Sequence, residues 1–352
     1  MLTGIPFVDD HGALRPGQLL EVCGVGGSGK TEILMRAAVN CVMPRERRGV
    51  RFGGCESSVL LLDLDGKFDT LRFLKILTAR VKDAIARAAA EKGPARAPDP
   101  DADAALADDA YAESARRFQT LRCHSSLDFL KALHVVERAF ERREAKNAAA
   151  EMAEEKEKEK GNAAGGGAGP GTGPGTGRGT SGASRAPRAP DAKPPRRLLL
   201  VDNVAAFYWL DRASRREQGA PLSLHAVHHA SAAKLQELSR RCRAPIIVTK
   251  ATGGAGAASD SAATATAASA GPVGPAAGHR DFLPRRWTSA VTQRLVLDVE
   301  RVAPDGGQPR AREGFEGAGG YAARFVARWE MPRGRPGMRY EVHGDDGIRC
   351  EG

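Results

Sequence analysis

The sequence is poor in aromatic residues and has no closely spaced cysteines. Phe, Trp and Tyr supply only 5% of the 352 residues, whereas Gly contributes 41 residues and Pro 21. Since 41% of the residues are hydrophobic, enough for a sizeable core, this imbalance indicates low-complexity segments inserted into an ordinary fold. The six cysteines form no C-x-x-C pair, which argues against both a zinc site and a disulfide framework.

Long apolar runs are also missing. No run approaches the ~18 residues that cross a bilayer, and the N-terminal stretch MLTGIPFVDDHG lacks the basic and apolar regions of a signal peptide. These absences argue against membrane insertion and secretion, and leave the cytosol or the nucleus. The formal net charge of +10 favours a polyanionic partner, although a merely soluble basic surface explains the charge equally well.

Short apolar runs alternate with longer helical patterns through most of the chain. The runs are QLLEVC, SVLLLDLD, RFQTLRC, RRLLLVD and APIIVTK. Nearly continuous Leu, Val and Ile runs separated by helices are typical of parallel strands buried on both faces. From about residue 290 the runs QRLVLDVER, ARFVARWEM and MRYEVHG lack helices between them. The sequence thus predicts an α/β fold in one domain, 1–352, with a mainly parallel central sheet, flanking helices and a C-terminal antiparallel β extension.

Three low-complexity segments interrupt this pattern. Segment 93–109 is rich in Pro, Ala and Asp and is expected to be a flexible insert. In 148–195, an alternating Glu/Lys run favours an extension of the helix that begins near Leu127. The Gly/Pro tract and basic residues that follow it are expected to be disordered. The third segment, 252–286, is dominated by Gly, Ala, Ser and Thr and is expected to be a mobile loop.

The most specific motif is a phosphate-binding loop of the form G-x-x-x-x-G-K-[ST]. Its residues are Gly24, Val25, Gly26, Gly27, Ser28, Gly29, Lys30 and Thr31. The loop follows a predicted strand and opens a predicted helix, so that backbone N–H groups and the helix N-terminus face the phosphates of a nucleotide. Lys30 is expected to bridge the terminal phosphates of ATP, and Thr31 to supply a hydroxyl to Mg²⁺.

Carboxylates follow two other apolar runs. Asp202 ends RRLLLVD and is predicted to be the acid linked to Mg²⁺, with a helix-capping role as the alternative. Hydrolysis also needs a carboxylate that orients and deprotonates the attacking water. Asp63 and Asp65 follow another run, and alternation along a strand lets only one of them face the nucleotide. A turn-forming role before Gly66 is the alternative for either residue.

Three segments resemble the core of RecA-family recombinases, and especially the eukaryotic recombinase paralogues. They are LLEVCGVGGSGKTEIL, VLLLDLDGKFDTLRFLKIL and LLLVDNVAAFYWLDR. The resemblance implies a RecA-like P-loop NTPase core that binds ATP and Mg²⁺. It also implies a nuclear protein of homologous recombination and double-strand break repair. Such a protein acts in a complex with other recombinase paralogues and assists the main strand-exchange recombinase on single-stranded DNA.

Three departures from the active recombinases bear on activity. Asp65 stands where those enzymes have a catalytic Glu, and it is one methylene shorter. Lys250 and Ala251 stand where they have a polar sensor that couples the nucleotide to DNA. Only about sixteen residues precede the first strand, which leaves no room for a helical DNA-binding domain. Such a subunit is expected to terminate an assembly, although a misassigned start codon gives the same appearance.

Candidate DNA contacts follow from the same resemblance. Segment 252–286 stands where the family has a mobile DNA-contacting loop, with a disordered insert as the alternative. Its cationic residues available to phosphates are Arg280, Arg285 and Arg286. A group of aromatic residues at a helix start is expected to belong to the core, with base stacking as the less favoured alternative. This group is Phe207, Tyr208 and Trp209.

Two hypotheses on activity stay open. The first is an interaction subunit that binds ATP, has weak or absent ATPase activity and supports repair through its partners. The second is a competent DNA-dependent ATPase that uses Asp65 as the base. A small-molecule kinase is a third, distant alternative, because neither an Arg-rich lid nor an acceptor pocket is visible in the sequence.

Overall fold

A computed structural model describes most of the chain. The described residues are 2–10, 13–91, 100–163, 197–213, 223–252, 283–300, 323–343 and 347–350. They fall into two compact units, Met1–His134 with Arg196–Gly352, and Val135–Pro195. The first unit contains the sheet, and the described part of the second, 135–163, is helical. The prediction of a single domain over 1–352 stays a prediction.

The described residues contain these helices and strands. The helices are α1 Pro6–Asp9, α2 Lys30–Val42, α3 Thr70–Glu91, α4 Pro100–Arg117, α5 Ser126–Ala163, α6 Tyr208–Ala213, α7 Leu224–Arg241 and α8 Arg285–Ala290. The strands are β1 Leu19–Gly24, β2 Glu46–Arg47, β3 Val50–Arg51, β4 Ser58–Asp63, β5 Phe118–Arg122, β6 Arg197–Asp202, β7 Ile246–Ala251, β8 Gln293–Val299, β9 Ala323–Met331, β10 Met338–His343 and β11 Gly347–Cys350. No helix in the described part of the chain has an apolar stretch that would reach across a lipid bilayer.

Nine strands form one sheet in the order β11-β10-β9-β8-β1-β7-β6-β4-β5, and β2 pairs with β3 in a separate hairpin. The strands from β8 to β5 in this order are all parallel. The strands β9, β10 and β11 continue the sheet from β8 in antiparallel pairs. These pairings confirm the predicted α/β fold, with its mainly parallel sheet, flanking helices and antiparallel C-terminal extension.

The central strands are apolar along their length because both faces of the sheet are covered. Every residue of β1 and of β6 is buried, as parallel strands between two layers of helices require. In β6, Leu198 and Leu200 join the core that contains residues of α2 and α3. Leu199 and Val201 are equally buried but alternate to the opposite face.

The parallel pairing brings the carboxyl ends of four strands to one edge of the sheet. Gly24 at the end of β1 lies beside Ala251 at the end of β7. Asp63 at the end of β4 lies beside Asp202 at the end of β6. In open α/β sheets ligands bind outside this edge, so the topology places the predicted phosphate-binding loop and the predicted carboxylates where they can act together.

Part of the expected inserts is helical. Residues 100–109, which were expected to be flexible, form the first half of α4. The helix buries Leu106 and Ala110 on one side. Asp101 lies in its first turn, where a negative charge is favourable. The Glu/Lys run extends α5 to Ala163, as the charge pattern predicted. Residues 93–99, 164–195 and 253–282 lie outside the described residues, so the predictions for them stay predictions.

A cluster of charges is buried within the sheet. Glu21 of β1 is fully buried, and its Oε1 lies 2.9 Å from Lys250 Nζ and 2.7 Å from Arg294 Nε. Trp287 Nε1 donates a hydrogen bond to Glu21 Oε2. Burial alone would raise the pKa of Glu21, but Lys250 and Arg294 outweigh it and hold the pKa below its usual value. The cluster joins β1 to both neighbouring strands through charge.

Replacing Glu21 with Gln is expected to lower the free energy of unfolding by about 3–5 kcal/mol, because the carboxylate balances two buried cations. Urea denaturation measures the change. Since the pKa of Glu21 is held below the usual 4.5, its contribution is present above that pH. It is lost as the pH falls, so wild type and variant should converge in acid.

Glu46→Gln is the matched control, since it removes a carboxylate whose pair with Arg51 lies at the surface, with side chains 58% and 90% exposed. It should change the denaturation midpoint little. Equal midpoints for Glu21→Gln and wild type at neutral pH would contradict the assigned role of the cluster.

Candidate nucleotide-binding site

The glycine-rich loop connects β1 to α2. The strand ends at Gly24 and the helix begins at Lys30, as the motif predicted. Gly27 and Gly29 have φ angles of 74° and 79°, a left-handed conformation that glycine adopts without steric cost. The loop therefore has its shape because of the glycines, and it leads the chain directly into the N-terminus of α2.

Several backbone N–H groups of the loop donate to no other described residue. They belong to Gly26, Gly27, Gly29, Lys30 and Thr31. The Ser28 N–H, in contrast, donates to the Val25 carbonyl at 3.3 Å. Because these donors lie at the positive end of the α2 dipole, the loop has the chemistry of an anion-binding site.

The Lys30 side chain folds back over this loop. Its Nζ donates to the carbonyl oxygens of Gly24 at 2.9 Å and Val25 at 2.6 Å. Burial lowers the pKa of Lys30, and the negative charge of Asp202 is the largest influence opposing this shift, with Asp65 also contributing. The ammonium group thus lies near the loop carbonyls and within the field of two carboxylates.

Asp202 faces the start of α2. Its Oδ2 accepts a hydrogen bond of 2.9 Å from Thr31 Oγ1, and its Oδ1 accepts one from Thr249 Oγ1. The residue is only 2% exposed. Burial raises the pKa of Asp202, the negative charge of Asp65 raises it further, and the two hydroxyl donors partly offset the shift. The structure thus brings together Thr31 and Asp202, which the sequence predicted to share one Mg²⁺.

Thr249 is a site residue that the sequence reading missed. The resemblance to the recombinases aligns the polar sensor with Lys250 and Ala251, but Lys250 points to the other face of the sheet, where it meets Glu21. Strand alternation predicts which side chain of β7 faces Asp202 instead. Ile247 belongs to the core beside α2, so Thr249, two residues later, lies on the same face. Lys250 therefore faces away from the candidate site, and the alignment of Lys250 and Ala251 with the recombinase sensor stays a prediction.

The two candidate carboxylates after β4 have different surroundings. Asp63 Oδ1 accepts a hydrogen bond from the Gly66 N–H at 2.8 Å, and Asp63 Oδ2 accepts one from Arg122 Nη1 at 3.0 Å. Asp63 therefore has the turn-forming role. Asp65 Oδ1 is buried and accepts no hydrogen bond from the described residues, while Asp65 Oδ2 lies 3.6 Å from Lys67 Nζ.

Of the two, Asp65 is the stronger electrostatic neighbour of the loop. Its charge raises the pKa of Asp202, after burial, more than that of Asp63 does. It also opposes the lowering of the Lys30 pKa by burial. Two carboxylates, one ammonium group and a set of backbone donors thus gather at the carboxyl edge of the sheet.

The residues expected to contact DNA occupy mixed environments. Phe207 and Tyr208 are buried, as predicted for core residues, but Trp209 is 61% exposed, and its assignment to the core is wrong. The Arg212 guanidinium lies 5.4 Å from the centre of the Trp209 ring. The first two residues of α8, Arg285 and Arg286, are exposed, whereas Arg280 lies outside the described residues.

Comparisons with known proteins agree with the motifs. No protein-family model matches the chain. The DNA repair protein XRCC2 homolog of Arabidopsis thaliana is 24% identical over 307 residues, which cover 81% of this chain and 69% of that protein. The chain is thus XRCC2-like. Mouse DNA repair protein XRCC2 is 22% identical over 214 residues, 61% of this chain and 49% of the mouse protein. The resemblance stated from the motifs is confirmed.

Gly24→Ala should distort the loop, because an added methyl group would lie 2.3 Å from Ser28 Oγ and 2.6 Å from the Leu297 carbonyl oxygen. We expect a loss of about 1–3 kcal/mol in the free energy of unfolding, measured by urea denaturation. Gly26→Ala is the control, since its methyl group meets no described atom within 4 Å. It should change stability by no more than about 0.5 kcal/mol. Similar losses in both variants would contradict the close packing assigned to Gly24.

Proposed function

We propose that this chain is an ATP-binding subunit with a RecA-like P-loop NTPase core, acting in homologous recombination and double-strand break repair. The observation that supports nucleotide binding most directly is the 2.9 Å hydrogen bond between Thr31 Oγ1 and Asp202 Oδ2. It joins two motifs that are 171 residues apart in the chain. We further propose that the loop N–H groups and Lys30 hold the phosphates of ATP.

The residues present fit Mg²⁺ bound together with a nucleotide. Within the described ranges no group of three or more His, Cys, Asp or Glu residues is placed to hold a metal. Mg²⁺ at a phosphate site does not need one, because one or two carboxylates, phosphate oxygens and water complete its shell. Asp202 and the Thr31 hydroxyl would hold the ion. Its chemistry there would be to neutralise phosphate charge.

The repair role is proposed from the relatives, since the Arabidopsis and mouse proteins are both named DNA repair proteins. For this chain we infer the same process, and hence the nucleus. We also infer a heteromeric complex with other RecA-like recombinase paralogues that assists the main strand-exchange recombinase. Contact with single-stranded or branched DNA is proposed to occur within that complex. Exposed Trp209 offers a ring for base stacking.

The test is to recover the tagged full chain from its native source and to measure both its partners and its bound nucleotide. We expect a second RecA-like chain at a fixed ratio, together with ATP. Lys30→Ala should lower the bound nucleotide at least about tenfold, because it removes the side-chain cation of the loop. Lys82→Ala, at an exposed position of α3, removes the same charge as a control and should leave both readouts unchanged.

The role as a complex subunit and the role of the loop as a nucleotide site are tested separately. Recovery of the chain alone would overturn the role as a complex subunit. A Lys30→Ala chain that retains full ATP content would overturn the assignment of the loop as the nucleotide site. Repair that survives Lys30→Ala, with the complex intact, would identify the chain as a scaffold.

A competent DNA-dependent ATPase is the second candidate. It is favoured by one observation, the buried Asp65 Oδ1 that accepts no hydrogen bond from the described residues. A carboxylate oxygen of this kind is available to orient and deprotonate a water molecule. Asp65 is one methylene shorter than Glu, so the distance from its carboxylate to the attacking water decides between an ATPase and a subunit without turnover. Misplacement of the carboxylate by about 1 Å can cost about 100-fold in rate.

ATP turnover of the recovered complex on single-stranded DNA separates the candidates. If Asp65 is the base, Asp65→Asn should lower turnover by about 10²–10⁴-fold without lowering ATP content. Asp63→Asn is the matched control, because Asp63 is engaged with Gly66 and Arg122, and its turnover should persist. Turnover of Asp65→Asn equal to that of wild type would exclude Asp65 as the base.

A further inference from the structure

A second cationic site lies away from the glycine-rich loop. A cavity of about 550 Å³ opens between the β2–β3 hairpin and the second half of α3. Its charged lining residues are Arg51, Arg80, Arg87 and Glu91. Three guanidinium groups face one carboxylate of the lining, and Arg51 also lies 3.9 Å from Glu46 Oε2, so the lining carries a net positive charge. We call this cavity the arginine pocket.

The positive charge of the arginine pocket is poorly balanced. None of Arg80, Arg87 and the neighbouring Arg36 forms an ion pair with a carboxylate of the described residues. Arg36 Nε donates to the Gly4 carbonyl at 3.0 Å and Arg87 Nε to the Asp83 carbonyl at 3.4 Å. The Arg80 guanidinium makes no hydrogen bond with another described residue, although the side chain is half-buried.

The arginines also repel one another. Burial lowers the pKa of Arg80, and the charge of Arg87 lowers it further, with Asp83 opposing the shift. Burial likewise lowers the pKa of Arg36 to about 10, and Arg80 is the next largest cause. Arg36 and Arg80 are half-buried, whereas Arg87 is exposed. A half-buried charge beside a like charge costs stability unless a counter-charge accompanies it. An anion in the arginine pocket would supply it.

The shape of the arginine pocket suits phosphate rather than a base. Phe52 lines it but is only 2% exposed, so little of its ring is available for stacking. At the mouth, a methyl group added to Gly49 or Gly53 would have no described atom within 4 Å, so a ligand can approach the backbone of both glycines. Planar guanidinium groups bind phosphate oxygens through paired hydrogen bonds.

The arginine pocket is separate from the proposed nucleotide site. Its hairpin follows the C-terminal end of α2, whereas the glycine-rich loop precedes the N-terminal end. A helix of 13 residues is about 20 Å long at 1.5 Å per residue. One nucleotide therefore does not fill both sites.

We propose that the arginine pocket binds backbone phosphates of a nucleic acid strand. A cavity of about 550 Å³ exceeds the space of one phosphate group, and Arg51, whose side chain is 90% exposed, continues the positive surface outward. The formal net charge of +10 over the whole chain also favours a polyanionic partner. The inference relies on the proposed function only for the choice of DNA as the nucleic acid.

The test compares wild type with the double variant Arg80→Gln, Arg87→Gln in the full chain and its recovered complex. Fluorescence anisotropy measures binding of a labelled single-stranded oligonucleotide over a range of salt concentrations. We expect about tenfold weaker binding at low salt. The slope of log affinity against log salt should become shallower by about 1.4, or about 0.7 for each phosphate that the variant no longer neutralises.

Two further readouts distinguish a binding role from a structural one. The thermal midpoint of the double variant should be unchanged or higher, because the substitutions relieve repulsion between like charges, and its ATP content should match wild type. The control variant Arg15→Gln, Arg240→Gln removes two exposed arginines outside the pocket lining. It should retain nearly the full affinity and slope.

Specific outcomes would overturn the proposal. They are unchanged oligonucleotide affinity and slope in the double variant, or weaker binding accompanied by a lower thermal midpoint. Variant-sensitive binding of tripolyphosphate with unchanged oligonucleotide binding would identify a free phosphate compound instead. The same pattern with poly-glutamate would identify an acidic protein partner. Because ATP content is read separately, failure here is distinguishable from failure of the proposed nucleotide site.

Discussion

The burial of β1 is the constraint on which the rest of the structure depends. This strand pairs in parallel with β7 on one side and β8 on the other, so its carboxyl end brings the glycine-rich loop to the middle of the sheet. The same burial requires counter-charges for Glu21, and the two neighbouring strands supply them as Lys250 and Arg294. The loop and the buried charge cluster are two consequences of the position of one strand.

The candidate nucleotide site follows from parallel pairing. Thr31, Asp202 and Thr249 are distant in the chain, yet they meet because the strands that precede or carry them end at one edge of the sheet. Asp65 adds a second carboxylate to this edge. Gathering like charges at a buried place is unfavourable unless a cation accompanies them. The fold therefore accepts a local electrostatic cost here, which is typical of binding sites rather than of cores.

The arginine pocket also gathers like charges, but here the charges are positive. Arg80 and Arg87 lie together on α3 without an ion pair to a carboxylate of the described residues. A hydrophobic side chain in place of half-buried Arg80 would stabilise this region better if it served only the fold. The proposed ligands, Mg²⁺ with ATP at the start of α2 and nucleic acid phosphates at the arginine pocket, would each supply the opposite charge.

The sequence alone determined the fold class and the main parts of the candidate site. The apolar runs specified buried parallel strands, and the motif placed Lys30 and Thr31 at the start of a helix, because hydrophobic periodicity and glycine conformation are local properties. Tertiary structure decided which residues face each other. It gave Asp63 and Asp65 different partners and left Trp209 exposed. It also sent Thr249 rather than Lys250 toward Asp202, since facing depends on strand register and on neighbours far away in the chain.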